Sequence, residues 1–392
     1  MIRNKTWLVA GAALLVLGAC GGTTDDTQST TSTDTETTTA GGGGGTEGVT
    51  CDDVKMGFFG ALTGDYAALG INIRDGVKLA IDQFTEANPD CAVTLEEYDS
   101  QGSETAAPDL AQQAIDDQTV IGVVGPAFSG ESNAAGPIFA EAGLPTITPS
   151  ATNPNLAENG WATFFRILGN DATQGPAAAK YISETIGSTK VFVMDDASEY
   201  GKGLADIVTE TLGDAVVETD TTQQGEDNFS ASITKIKASG ADTLFYGGYY
   251  PEAGKLIKQL RNADWQGQMV VGDGVKDEAY VEEGGESTEG TIITCPCLPP
   301  DQAPDFFDAY QAAFDTEPGT YTAEGYDAAN VFLAGITDGA TEREAMLEFV
   351  GSYEGQGVTK EIAFDDKGES TNVVVWAYTV KKGKIVPDQE IK

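Results

Sequence analysis

The sequence predicts an α/β fold of two lobes, each built on its own parallel sheet. Three observations predict it. From Val54 onward, short runs rich in β-branched and aromatic residues alternate with segments of helical periodicity, the pattern of strand–helix–strand crossovers. The alternation comes in two successive series, so two sheets are expected. At 392 residues, the chain exceeds one core of about 100–200 residues and suits two lobes plus a tail.

The amino-terminal residues read as an address and an anchor. Residues 1–19 carry Arg3 and Lys5 ahead of an apolar run over 7–17, a secretory signal pattern too short to span a bilayer as a helix. It ends in Leu17-Gly18-Ala19-Cys20, which resembles the lipobox of bacterial lipoproteins; cleavage before Cys20 would leave a lipidated cysteine, whose acyl chains bury at about 0.8 kcal/mol per CH₂. An ordinary secretion signal is the alternative. Residues 20–50, rich in Gly, Thr, Ser and Asp with no large apolar residue before Val49, are expected to form a disordered tether.

Cys51, Cys91, Cys295 and Cys297 form an even set, and in an oxidising compartment disulfides are expected. Cys51 precedes a strand pattern over 54–59 and Cys91 one over 93–98. Neighbouring parallel strands lie about 4.8 Å apart, within disulfide reach, so Cys51–Cys91 is the expected pair, worth about 4 kcal/mol in the chain-entropy model. Cys295 and Cys297, around Pro296, either close a small strained ring or stay as free thiols; without histidine they make only half a zinc shell.

Further strand patterns stand at 120–124, 145–148 and 164–167 in the first series, and at 191–195, 215–219, 243–247, 269–272 and 290–294 in the second. Between the early strands, Val77, Ala80, Ile81 and Phe84 recur at helical spacing, as do Leu110, Ala111, Ala114 and Ile115. Helices resume with Phe306, Ala309, Tyr310, Ala313 and Phe314 on one face, then Tyr326, Ala329, Asn330 and Leu333 on another. Patterns over 362–364 and 373–380 read as antiparallel, terminal strands.

Composition narrows the function. The formal net charge of −40 repels phosphate backbones, so no nucleic-acid partner is expected, and the acidity is read chiefly as a solvated surface. The chain has no histidine, which removes Ser–His–Asp and Cys–His nucleophiles and His-based zinc sites. No acid/base pair or metal spacing replaces them, and no GxGxxG or Walker loop follows a strand; no catalysis, cofactor or metal is expected.

Ligands of wound α/β sheets gather beyond the carboxyl ends of strands, where loops and helix N-termini present unpaired amides. Loop 125–132 offers Ser129 and Ser132 there, and loop 148–152 offers Ser150 and Thr152 after the next strand. Helix capping accounts for either loop alone. Two on successive strands make a donor-rich cradle for a carboxylate.

The blocks GALTGDYAALG at 60–70, LPTITPSATNP at 144–154, FRILGNDATQGPAAAKYI at 165–182, DDASEYGKGLA at 195–205, FYGGYYPEAG at 245–254 and VGDGV at 271–275 follow in order along the chain. With them the sequence resembles, over nearly its whole body, the leucine/isoleucine/valine-binding family, the type I periplasmic binding proteins that feed ABC importers. The resemblance implies two Rossmann-like lobes joined by three hinge crossovers near Gly169, Cys295–Cys297 and Asn372. Lobe 1 is then 51–169 with 296–372, and lobe 2 is 170–295 with 373–392.

The resemblance also implies an extracytoplasmic monomer, lipid-anchored to the outer face of the cytoplasmic membrane, that closes over an amino acid and delivers it to ABC permease subunits. Ser129, Ser150 and Thr152 then hold the ligand α-carboxylate and part of its ammonium from lobe 1. Tyr200, Tyr249 and Asp273 close from lobe 2, Asp273 being the acceptor for the ammonium. Tyr66, Leu69 and Tyr321 are candidates for the side-chain pocket, and Phe128 adds bulk beside Ser129. An acidic turn residue is the alternative reading of Asp273, and a half-buried lobe surface that of Tyr200 and Tyr249. Asp273 is one methylene shorter than the Glu that leucine-type members often use, and Leu69 replaces a frequent aromatic. An aliphatic amino acid is expected, with other amino acids, short amides and urea-like solutes open. An enzyme using the same cleft and a ligand sensor of the same fold are the alternatives.

Overall fold

A computed structural model describes residues 51–392. The expected export signal, the Cys20 anchor and the tether lie outside the described residues. The first series forms β1 (Cys51–Gly60), α1 (Ala67–Ala87), β2 (Cys91–Asp99), α2 (Ala107–Asp116), β3 (Val120–Val124), α3 (Ser129–Ala142), β4 (Thr146–Thr148), the short α4 (Asn155–Glu158) and β5 (Phe164–Arg166). The second forms α5 (Asp171–Lys180), β6 (Val191–Asp195), α6 (Glu199–Leu212), β7 (Val216–Thr221), α7 (Ser230–Ser239), β8 (Thr243–Gly247), α8 (Tyr250–Asn262), β9 (Gln268–Val271), α9 (Glu278–Gly284) and β10 (Ile292–Cys295). Strands such as β3 and β8 are buried at every position, as central parallel strands covered by helices on both faces must be. In α1, Ile73, Val77, Ala80 and Ile81 make the buried stripe, at the helical spacing that the sequence carries.

Two sheets result. The first runs β2-β1-β3-β4-β5, all parallel. The second has β10-β9-β8-β6-β7 as its parallel part. In each sheet the strand order reverses once, between β1 and β3 and between β6 and β8, and loops beyond the carboxyl ends of these strands diverge to leave a crevice. Cys51 stands opposite Cys91 in the β1–β2 register, and their Cα atoms, 4.7 Å apart, are joined by a disulfide. Cys295 and Cys297 are also bonded to each other.

After β10 the chain forms α10 (Pro304–Phe314), α11 (Thr322–Thr337) and α12 (Arg343–Gly351), and α11 packs on α1 and β3 of the first sheet. A hairpin of β11 (Glu354–Gln356) and β12 (Glu361–Ala363) precedes β13 (Trp376–Lys381), which pairs antiparallel with β10, and β14 (Lys384–Glu390), which pairs antiparallel with β13 at the edge of the second sheet. The chain thus passes between the sheets after β5, after β10 and before β13. The three passages touch: a Cβ on Gly169 would overlap the Val373 side chain and come within 3.3 Å of Pro296 Cβ.

Two expectations change. The strand expected over 373–380 shortens to β13 and is not terminal, because Lys382 and Gly383, at φ of 55° and 71°, make a tight hairpin turn into β14. That last strand is polar and contains Pro387, so only its pairing at a sheet edge makes it a strand. Ala313 is exposed, since α10 rests on a small satellite core of Leu79, Phe306 and Tyr310 that covers only part of the expected face. Among the described residues, no helix is long and apolar enough to cross a membrane.

Candidate functional site

The crevice between the sheets narrows to a small cavity of about 10 Å³, room for about one water molecule. Loops from both switch points build it. Leu69 and Ile73 come from the start of α1, Phe128 and Ser129 from the β3–α3 turn, and Ser150 from the loop after β4. Facing them are Tyr200 at the start of α6, Tyr249 just before α8, and Asp273 just after β9. Tyr321, immediately ahead of α11, completes the wall. Eight of the nine candidate ligand-binding residues therefore line one cavity. Thr152 does not: it is fully buried.

The first-lobe rim is neutral and rich in donors. Thr148 Oγ1 donates to Pro126 O at 2.8 Å and accepts from Ala151 N at 3.0 Å, stitching the two loops together. Ser150 Oγ donates to Ala127 O at 2.6 Å, and Ser129 Oγ accepts from Asn153 N at 3.2 Å. The first amides of α3 have no intrahelical partner, and the positive end of the helix lies at the cavity. Such a rim suits an anion.

The opposite face is acidic and aromatic. Asp273, 1% exposed, accepts from Tyr200 Oη at 2.8 Å on Oδ1 and from Tyr321 Oη on Oδ2. Tyr200 Oη in turn accepts from Gly274 N at 3.0 Å. Burial pushes the Asp273 carboxyl up, and the hydroxyls that donate to it pull the other way. Tyr249 packs against Tyr200 and Tyr66, each with ring centroids 5.1 Å away, and against Phe128 at 5.4 Å. Tyr66 stands behind that wall, where its hydroxyl crosses to Glu252 Oε1 at 3.0 Å. Among the described residues no His/Cys/Asp/Glu group is arranged to hold a metal ion.

Sequence reasoning passed over three groups around the cavity. Arg166, fully buried at the end of β5, holds the carbonyls of Ala151 and Asn153 at 2.8 and 2.9 Å; a charged residue between Phe165 and Ile167 was the available signal. Asp171 and Glu252, both buried, carried no signal among 62 acidic residues.

Comparison with known proteins gives a consistent set of relatives. A family model described as periplasmic binding protein matches residues 53–384. The leucine-, isoleucine-, valine-, threonine- and alanine-binding protein of Pseudomonas aeruginosa is 30% identical over 334 residues, 83% of this chain and 89% of that protein. The Leu/Ile/Val-binding protein of Escherichia coli is 29% identical over 326 residues, 81% of this chain and 88% of that protein. Among solved structures, a branched-chain amino acid transporter substrate-binding protein of Streptococcus pneumoniae in complex with isoleucine superposes with a TM-score of 0.80 at 28% identity, covering 86% of this chain and 99% of that one.

Proposed function

Because the chain belongs to the periplasmic binding protein family, we propose that it captures an aliphatic, branched-chain type of amino acid between its lobes and delivers it to an ABC permease. The observation that carries this reading is the polarity of the cavity. Neutral hydroxyls and a helix N-terminus stand on one side, and the buried carboxylate of Asp273 on the other, so a zwitterion meets a matching partner at each end. Leu69, Ile73, Phe128 and Tyr249 supply apolar wall for a side chain to pack against.

The lobes of this reading are 51–169 with 296–372 and 170–295 with 373–392, closing about the three passages where Gly169, Pro296 and Val373 meet. Capture begins on Ser129 and Ser150, and closure brings Tyr200, Tyr249 and Asp273 onto the ligand. The protein acts as a monomer outside the cytoplasmic membrane, held by lipid on Cys20. The lipobox-like Leu17–Cys20 segment supports the anchor, and incorporation of labelled palmitate that disappears in Cys20→Ser tests it.

A thermal-shift screen of the mature chain against the twenty amino acids, short amides and urea tests the ligand class. Leucine, isoleucine or valine should raise the melting temperature most, in line with mass action on a closed complex. A response to amides alone would remove the amino-acid assignment.

A further inference from the structure

Lys276 closes the turn that begins at Asp273, and among the described residues it is the one buried lysine. An ammonium taken out of water needs partners that offset its desolvation. Burial pulls this one below the ordinary lysine value; Glu324, Asp277, Glu278 and Asp273 oppose that through their charge alone, since none of them accepts a hydrogen bond from it. A buried cation without a bonded counter-ion calls for a reason.

Its contacts give one. Nζ donates to Thr320 Oγ1 at 3.3 Å, and that hydroxyl donates in turn to Lys276 O, so the lysine and the threonine close on each other. Thr320 is itself buried. The next residue, Tyr321, stands in the left-handed region at φ of 66°, where any residue but glycine is strained and has to be held. Its hydroxyl donates to Asp273 Oδ2, while Lys276 N donates to Asp273 O at 2.9 Å. Two short segments, 273–276 and 320–321, are thus joined at both ends, Tyr321 on Asp273 and Thr320 on Lys276.

The ammonium also lies over the Tyr378 ring, 4.4 Å from its centroid, a cation–π contact. Tyr378 stands in β13 and donates its hydroxyl to Cys297 O at 2.9 Å. Cys297 belongs to the passage after β10, and β13 follows the passage that returns the chain to the second sheet. The joined segments are therefore fastened beside two of the places where the chain crosses between the sheets.

We propose that Lys276 is a positioning residue of the ligand cleft: through Thr320 it seats Tyr321 on Asp273, and through Tyr378 it ties that clamp to the passages about which the cleft closes. This rests on the reading of capture by closure given above and adds to it a residue that touches no ligand. Under that reading the two segments belong to different lobes, so the clamp forms on closing and parts on opening, when the ammonium regains water. Removing it then acts on release of the ligand and not on its arrival. The unliganded chain loses nothing, because a desolvated charge has gone with the clamp.

Calorimetry and stopped-flow release with L-leucine, on the mature chain and on Lys276→Met, Tyr321→Phe and the double variant, test this. Lys276→Met keeps an apolar stem and drops the donor and the charge. Leucine affinity should fall about fivefold to fiftyfold, with release quickened by the same factor and association within about twofold. The melting temperature without ligand should not fall, and Thr320→Val should reproduce the loss of affinity. Because the lysine acts through Tyr321, the double variant should bind leucine within about twofold of Tyr321→Phe alone. An unchanged affinity, a loss carried by slower association, losses that add in the double variant, or a lowered melting temperature without ligand overturns the assignment and leaves Lys276 a residue of the fold. No binding of leucine to the unaltered chain overturns the branched-chain reading instead, and is seen without any variant.

Discussion

Arg166 is tied to Glu369, which stands shortly before β13 on the third passage between the lobes. Its Nε donates to Glu369 Oε2 at 3.0 Å and its Nη2 bonds Oε1, while Nη1 holds the carbonyls of Ala151 and Asn153. One planar side chain thus fixes the loop bearing Ser150 and Thr152 and fastens it to a segment that joins the lobes.

Removing the acid leaves the guanidinium buried without its counter-charge. Glu369→Ala should lower the unfolding free energy by about 3 kcal/mol, read as a shifted urea midpoint. Arg166→Lys keeps the charge but loses the fork, so it should weaken ligand binding as well as stability. A Lys variant with native affinity would mean that the Ala151–Asn153 loop holds its shape unaided.

Asp273 carries the opposite end of the site. Asp273→Asn keeps the shape but trades an ionised acceptor for a neutral amide, so amino-acid affinity should fall about tenfold to a hundredfold by calorimetry. The fold should survive, since relieving a fully desolvated carboxylate offsets the altered bonds from Tyr200 and Tyr321. Unchanged affinity would remove Asp273 from the site.

Most of the strand order was legible because parallel strands write themselves as unbroken apolar runs: β3, β6 and β8 begin and end where the residues change character. The last hairpin was not, because β14 owes its conformation to the turn at Lys382 and Gly383 and not to its own residues. The cavity wall was legible through blocks such as VGDGV and DDASEYG, which place Asp273 and Tyr200 at strand ends. What stayed hidden were residues whose role comes from distant partners. Asp171 has Thr152, from the loop after β4, beside it, and Glu252 has Tyr66, some 186 positions away. Local spacing holds no trace of such pairs.

That second pair is one of several bonds across the crevice between the two sheets. Tyr66 Oη donates to Glu252 Oε1 at 3.0 Å, Tyr250 Oη to Asp65 O at 2.5 Å, and Asn153 Nδ2 to Glu199 O at 2.8 Å, each between the elements of the first sheet's series and those of the second's. Tyr66→Phe deletes one of them while keeping the ring against Tyr249 and Phe128. Stopped-flow release of bound leucine should quicken about threefold to tenfold with little change in the association rate. A change confined to association would mean that the bond forms before, not after, ligand capture.

The buried acids also set how stability follows pH. Burial, only partly opposed by nearby amide and hydroxyl donors, raises Glu131 to about 8 and Asp196 to about 7. In the unfolded chain such groups titrate near about 4, so between about 4 and 8 the native state binds more protons than the unfolded one. Stability is then greatest at the acidic end of that window, falls as pH rises by at most about 1.4 kcal/mol per unit for each group, and levels off once both have ionised. Urea unfolding at intervals from pH 5 to 8 should show this decline, and Glu131→Gln, which has no proton to lose, should flatten it. A wild-type profile that climbs towards pH 8 would require these carboxyls to meet cations or solvent that their buried positions in α3 and ahead of α6 deny them.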